Sequence, residues 1–229
     1  MYRFQLTYVL LVCMLMYAAG AYAQKDREEL KKLSSDYEKQ LKANPTFHLP
    51  YELNIASNLD TTSESVQVDL YKSENKDYLK MGRMQEVIHD GTLLMIVNHE
   101  MKMIRIGVDS ANIGTNHLLV SNFGAIIDSS KSVKYTLKDG VMHYVLSFAP
   151  SFIYSSIELD FSKKTKNLYR VKAVFSDATP SEFKYIEVRY KDPDFKWVPA
   201  VGFPNTDKYV SKSNGRYVVQ DAYDSYKLF

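Results

Sequence analysis

From residue 51 onward, apolar side chains return at every second position in one segment after another. Tyr51, Leu53 and Ile55 alternate with Glu52, Asn54 and Ala56, and Val66, Val68 and Leu70 alternate with Gln67, Asp69 and Tyr71. A period of two sends successive side chains to opposite faces of an extended chain, so this sequence must build mainly half-buried strands. The same rhythm predicts strands at 76–81, 84–89, 92–98, 102–108, 132–138, 141–149, 153–162, 167–176 and 183–191. Asp90-Gly91 and Asp139-Gly140 supply tight hairpin turns, and Asn98-His99-Glu100 separates two apolar runs. After Pro193 the chain reads as a loop, with Pro199 and Pro204, followed by a short last strand in Gly215-Arg216-Tyr217-Val218-Val219. The count comes to about ten strands.

Two segments follow the helical period instead. Over 26–43, Leu30, Leu33, Tyr37 and Leu41 form one stripe, and Glu28/Lys32 and Glu38/Lys42 are favourable i,i+4 pairs. Asn44-Pro45 ends that helix. Over 114–127, Thr115 or Asn116 can cap a helix in which Leu119, Phe123 and Ile126 share a face that Val120 and Ile127 widen.

The first 23 residues stand apart. Arg3, an apolar run from Leu6 to Ala19, and Ala21-Tyr22-Ala23 make a cleavable signal peptide, leaving 24–229 as one domain that starts at Gln24. Cys13, the one cysteine, lies in that leader, so the exported chain has neither a disulfide nor a thiol nucleophile. Leu10-Leu11-Val12 precedes Cys13 and offers no small residue for lipid attachment. Without Arg3, the 29 Lys and Arg become 28 against 27 Asp and Glu, a balance that gives no footing for nucleic acid or an anionic membrane. No second run of eighteen apolar residues occurs, so a soluble periplasmic product is expected.

Motifs for catalysis are absent: there is no G-x-S-x-G elbow, H-E-x-x-H pair, P-loop or G-x-G-x-x-G turn. A non-enzymatic protein without cofactor or metal is expected, and a hydrolase whose carboxylates meet only in space is the minor alternative. Two further alternatives rest on composition. His99, Met101 and Met103, on one face of a strand, would offer Cu(I) a soft ligand set, whereas a hairpin tip would leave the methionines as apolar filler. Of 18 tyrosines four fall in the leader, and Tyr209, Tyr217, Tyr223 and Tyr226 crowd the end of the chain, the composition of an exported binding or adhesion module as the alternative. Met81, Met84, Met95, Met101 and Met103 cluster within 23 residues, a composition suited to a wall that repacks around variable apolar ligands.

The stretch Val87-Ile88-His89-Asp90-Gly91-Thr92-Leu93-Leu94-Met95-Ile96-Val97-Asn98 resembles a hairpin of the bacterial periplasmic lipoprotein carriers of the LolA/LolB type. The order of helix, meander, apolar helix and second run of strands is similar to that family's layout across 26–190. Met95 stands where the family has tryptophan, Val97 where it has an aromatic, and Arg83 is not followed by proline, so no latch residue carries over. The resemblance implies a curled antiparallel sheet, an open half-barrel, with the 26–43 and 114–127 helices covering its concave face. It also implies an apolar groove for acyl chains or lipoprotein anchors, handed on by a membrane-bound donor or acceptor protein. Met95, Val97, Ile104, Ile106, Leu119, Phe123 and Ile126 are the candidate groove residues. A register slip of one residue would exchange the inward and outward sets.

Overall fold

The computed structural model describes residues 24–59, 63–91, 93–108, 123–178, 181–199 and 204–229; the signal-peptide assignment and Leu119 lie outside them. Helix α1 spans 24–43. The first meander is β1 (Thr46–Ser57), β2 (Ser63–Ser73), β3 (Lys76–Met81), β4 (Gln85–His89), β5 (Leu93–Asn98) and β6 (Met103–Val108). Helix α2 (Phe123–Ser129) precedes a second meander of β7 (Ser132–Lys138), β8 (Val141–Ser147), β9 (Tyr154–Ser162), β10 (Leu168–Phe175) and β11 (Phe183–Tyr190). The tail adds β12 (Val210–Ser213), β13 (Arg216–Val219) and β14 (Lys227–Leu228). Both Asp-Gly turns form. Asp139 and Gly140 have φ of 52° and 78°, the left-handed pair a type I′ turn needs, and the Asp90 carboxylate accepts the Leu93 N–H at 2.9 Å. None of the described helices is long and apolar enough to cross a membrane.

Twelve strands pair in the order β14-β6-β5-β4-β3-β2-β1-β11-β10-β9-β8-β7, and β12 and β13 form a separate two-stranded sheet. Every pairing of the large sheet is antiparallel except β14 with β6. The curled half-barrel expected from the resemblance is not what forms. The sheet is open, with β14 and β7 at opposite ends of the strand order, and it is mixed rather than purely antiparallel. Alternation reports which residues share a face; twist, bulges and closure set curvature, and a period of two does not encode them. The expected 114–127 helix is described only from Phe123 and runs on to Ser129.

Helix α1 lies on one face of this sheet. Leu30, Leu33, Tyr37 and Leu41 join Phe47, Leu49 and Tyr51 of β1, Tyr144 and Leu146 of β8, Leu159 of β9 and Val188 of β11 in the main core. Phe123 and Ile127 bring α2 into the same cluster. Arg27 donates to the Ser130 carbonyl at 2.8 Å and Lys31 pairs with Asp128 at 2.6 Å, clasping the start of α1 to the end of α2.

The opposite face divides into two territories. Across β8–β11 it is a charge ladder in which Arg170 donates to Glu187, Asp160 and Glu158 at 2.6, 2.8 and 2.7 Å. Across β3–β6 it is covered by the tail, pinned at Glu86. Tyr209 and Tyr78 donate to the Glu86 carboxylate at 2.6 and 2.9 Å, His99 Nε2 lies 3.1 Å away and Lys208 Nζ 3.7 Å away. Burial pushes the Glu86 carboxyl up, but the phenol donors, Lys208 and His99 outweigh it and hold it below its ordinary value of 4.5.

Two predictions follow from this architecture. Leu49, fully buried on central strand β1, should cost about 2–5 kcal/mol when changed to alanine, whereas Leu137→Ala on edge strand β7, 45% exposed, should stay within about 0.5 kcal/mol in urea unfolding. Glu86 has a lowered folded-state pKa, so its contribution is complete above pH 4.5 and is lost as pH falls through the folded value. Glu86→Gln should therefore cost about 1–3 kcal/mol at pH 7 and progressively less towards pH 3, read as converging unfolding midpoints.

Candidate functional site

Strand β5 is apolar at both parities, and its two sets of side chains meet different partners. Leu94 and Ile96 pack against the α1-side core, while Met95 and Val97 belong to a second cluster with Tyr78, Ile88, Tyr209 and Val210 beneath the tail. Met95, Val97 and Ile104 are fully buried in that second cluster and Ile106 packs against it. Phe123 is buried in the main core and Ile126 packs on it. The structure thus divides the described candidate groove residues between two faces instead of bringing them together.

The α1 side offers the larger apolar surface, and it carries polar atoms where a simple core would have none. Ser34 and Tyr37, 3% and 2% exposed, point hydroxyls into it that have no hydrogen-bond partner among the described residues. Burial pushes the Tyr37 phenol up, with Asp192 adding to the shift, and pushes Tyr51 up to about 12. Tyr190 is raised well above its ordinary value by burial and by the Tyr37 and Tyr51 phenols beside it. These three phenols are therefore held in their neutral form near pH 7. At the α1–α2 clasp a cavity of about 420 Å³ opens among Gln24, Arg27, Glu28, Lys31, Asp128 and Lys131.

The soft-metal arrangement does not assemble. His99 lies in the β5–β6 turn rather than on a strand, with its Nδ1 2.9 Å from the Tyr226 hydroxyl and its Nε2 engaged by Glu86. Met101, 67% exposed, and Met103 line a separate cavity of about 190 Å³ with Gln85, Ile96, Asn98 and Arg105. Lys102, at φ 50°, turns the chain between the two methionines. No group of three or more His, Cys, Asp or Glu among the described residues is placed to hold a metal. Sequence reasoning missed Glu86 and the bond that Tyr209 makes to it. In Gln85-Glu86-Val87 the carboxylate falls at an alternation position that reads as solvent-facing, and only the tyrosines of the tail hint at a cover.

No family model and no curated protein matches this sequence. Among solved structures, a LolA superfamily protein from Nitrosomonas europaea is similar at 11% identity and a TM-score of 0.35, covering 71% of this chain and 91% of that one. A DUF1329 family protein from Desulfovibrio piger is similar at 8% identity and a TM-score of 0.41, covering 81% and 98%. A putative outer membrane lipoprotein-sorting protein domain from Vibrio parahaemolyticus is similar at 8% identity and a TM-score of 0.31, covering 75% and 94%. The chain is distantly similar in structure to LolA superfamily and lipoprotein-sorting proteins, the group its β4–β5 hairpin resembles in sequence.

Proposed function

We propose that this protein is an exported, non-enzymatic carrier that takes an acyl chain or lipoprotein anchor between α1 and the apolar face of the sheet. One observation carries the reading: the buried hydroxyls of Ser34 and Tyr37 without partners in that interface. An unmet buried hydroxyl costs about 1–3 kcal/mol, so the closed helix is held less firmly than its apolar area alone implies. Lifting α1 frees both hydroxyls for water or for a polar group of the ligand. An acyl chain then replaces the lost helix contacts at about 0.8 kcal/mol per buried methylene. The Arg27 and Lys31 contacts to the end of α2 are the clasp that must open, and the hairpin resemblance favours acyl chains over other apolar ligands. A membrane-bound donor or acceptor protein is the partner such a carrier requires.

Tyr37→Phe removes an unpaired buried hydroxyl while keeping the ring. It should raise stability by about 1 kcal/mol, opposite in sign to the loss expected for a bonded tyrosine. The clasp gives the functional test. With Cys13 in the leader, Lys31→Cys and Asp128→Cys are the only thiols of the exported chain and can be bridged by a reducible bis-methanethiosulfonate. Bridging should abolish binding of a fluorescent diacylated peptide and reduction should restore it; binding unchanged by the bridge would place the ligand elsewhere.

A further inference from the structure

On the face opposite α1, the tail is tied down by hydrogen bonds at its two ends, while Val210, Tyr217 and Val219 pack on the cluster of Met95, Val97 and Ile104. One end is the Glu86 hub. The other is β14, held by backbone bonds from Phe229 N–H to the Ile104 carbonyl at 2.9 Å and from Ile106 N–H to the Phe229 carbonyl at 3.1 Å. Between them stands the β12–β13 hairpin, a two-stranded sheet of its own. Beneath it lies a cleft of about 410 Å³ lined by Leu93, Ile106, Tyr217, Leu228 and Phe229, with Arg216 as its one charged side chain. A second cavity of about 400 Å³ adjoins it, sharing Leu93 and Tyr217, and brings in Lys76, Lys212, Asp90 and Asp207.

The charges of this pair of cavities are unevenly engaged. Asp90 accepts the Leu93 N–H at 2.9 Å and the Thr206 hydroxyl at 3.3 Å, and Asp207 accepts from Asn205 at 3.0 Å. Lys76, Lys212 and Arg216 enter no ion pair among the described residues. Lys212 Nζ sits 5.8 Å from the centre of the Tyr217 ring, the wall shared by both cavities. An apolar slot that carries Arg216 thus adjoins a polar end where Asp90 and Asp207 accept hydrogen bonds and Lys76 and Lys212 enter no ion pair among the described residues.

We propose that this cleft is a second binding site, for a single-chain amphiphile with an anionic headgroup. The chain would lie on Leu93, Ile106 and Leu228, with the head near Lys76, Lys212 and Arg216. A volume near 400 Å³ lies towards the lower end of the about 300–1,000 Å³ usual for small-ligand sites, which suits one chain better than two. The site lies across the sheet from α1, so it does not depend on the carrier reading.

Calorimetric titration of the exported protein with laurate, lauryl phosphate and dodecanol, each below its aggregation threshold, tests it. Laurate should bind more tightly than dodecanol. Lys212→Glu with Arg216→Glu, both exposed, should weaken laurate at least tenfold and leave dodecanol unchanged. Phe229→Ser, at a side chain 64% exposed, should weaken both. Lauryl phosphate binding more tightly than laurate would assign the natural head as a phosphate monoester, and the reverse as a carboxylate; either supports an anionic head. Three results would overturn the proposal: equal binding of laurate and dodecanol, laurate binding indifferent to charge reversal, or laurate binding only to a dimer. The Lys31→Cys/Asp128→Cys bridge separates the two sites, because bridged protein should lose the diacylated peptide and keep laurate. Loss of laurate on bridging would overturn the second site alone.

Discussion

The pairing of β1 with β11 is the contact on which the rest of the molecule depends. Tyr51↔Tyr190 and the pairs that follow, to Ser57↔Phe183, join the first strand of one meander to the last strand of the other. Without them the chain would be two separate sheets, each with an extra free edge. The pairing is also the most non-local in the fold, so its loop-closure entropy must be offset by contacts that form only when it does. Helix α1 supplies these. Its stripe packs on Phe47, Leu49 and Tyr51 of β1 and, in the same cluster, on Val188 and Tyr190 of β11.

Much of this was legible in sequence. Strands β3 to β11 fall within about two residues of where alternation puts them, and the Asp139-Gly140 turn has left-handed dihedrals at both residues. What alternation could not deliver was sidedness. Leu93-Leu94-Met95-Ile96-Val97 is apolar at both parities because β5 is covered on both faces, so the pattern holds no information about which set meets α1. That is why Met95, Val97 and Ile104 lie under the tail while Phe123 and Ile126 lie with the helix. Strands β12 and β14 escaped for another reason. Val-Ser-Lys-Ser and Lys-Leu are too short and polar to show a period, and their pairing is set by tertiary contacts.

The boundary between the two territories of the outer face has an electrostatic origin. On β8–β11 each strand contributes a hydrogen-bonding or charged side chain at about the same level: His143, then Asp160, then Arg170, then Glu187 and Arg189. Burial pushes the Arg170 guanidinium down, but three carboxylate partners outweigh it and raise it above its ordinary value. Such cross-strand pairs hold neighbouring strands in register and leave a face that water can cover. On β3–β6 the same face carries Tyr78, Ile88, Met95, Val97 and Ile104, with Glu86 and its cross-strand neighbour Lys80 among them. A surface of that composition needs a cover, and the tail is the only described segment with rings to provide one.

The choice of tyrosine for that cover explains why it is incomplete. Tyr209, Tyr223 and Tyr226 pack in sequence, one pair tilted and the next edge-on, with centroids 4.6 and 5.3 Å apart, and two of the hydroxyls bond at one place, where Tyr209 meets Glu86 and Tyr226 meets His99. A phenol buries its ring at least cost where its hydroxyl finds a partner, so the tail docks tightly around Glu86. At the far end β14 docks by backbone bonds, which ask nothing of the side chains. The β12–β13 hairpin between them has neither anchor. Its strands pair with each other, its lysine and arginine enter no ion pair among the described residues, and Tyr217 packs on the apolar cluster beside Lys212 where Tyr209 meets Glu86. The cleft is therefore the gap left where a cover with two anchors spans an apolar surface longer than either anchor can close.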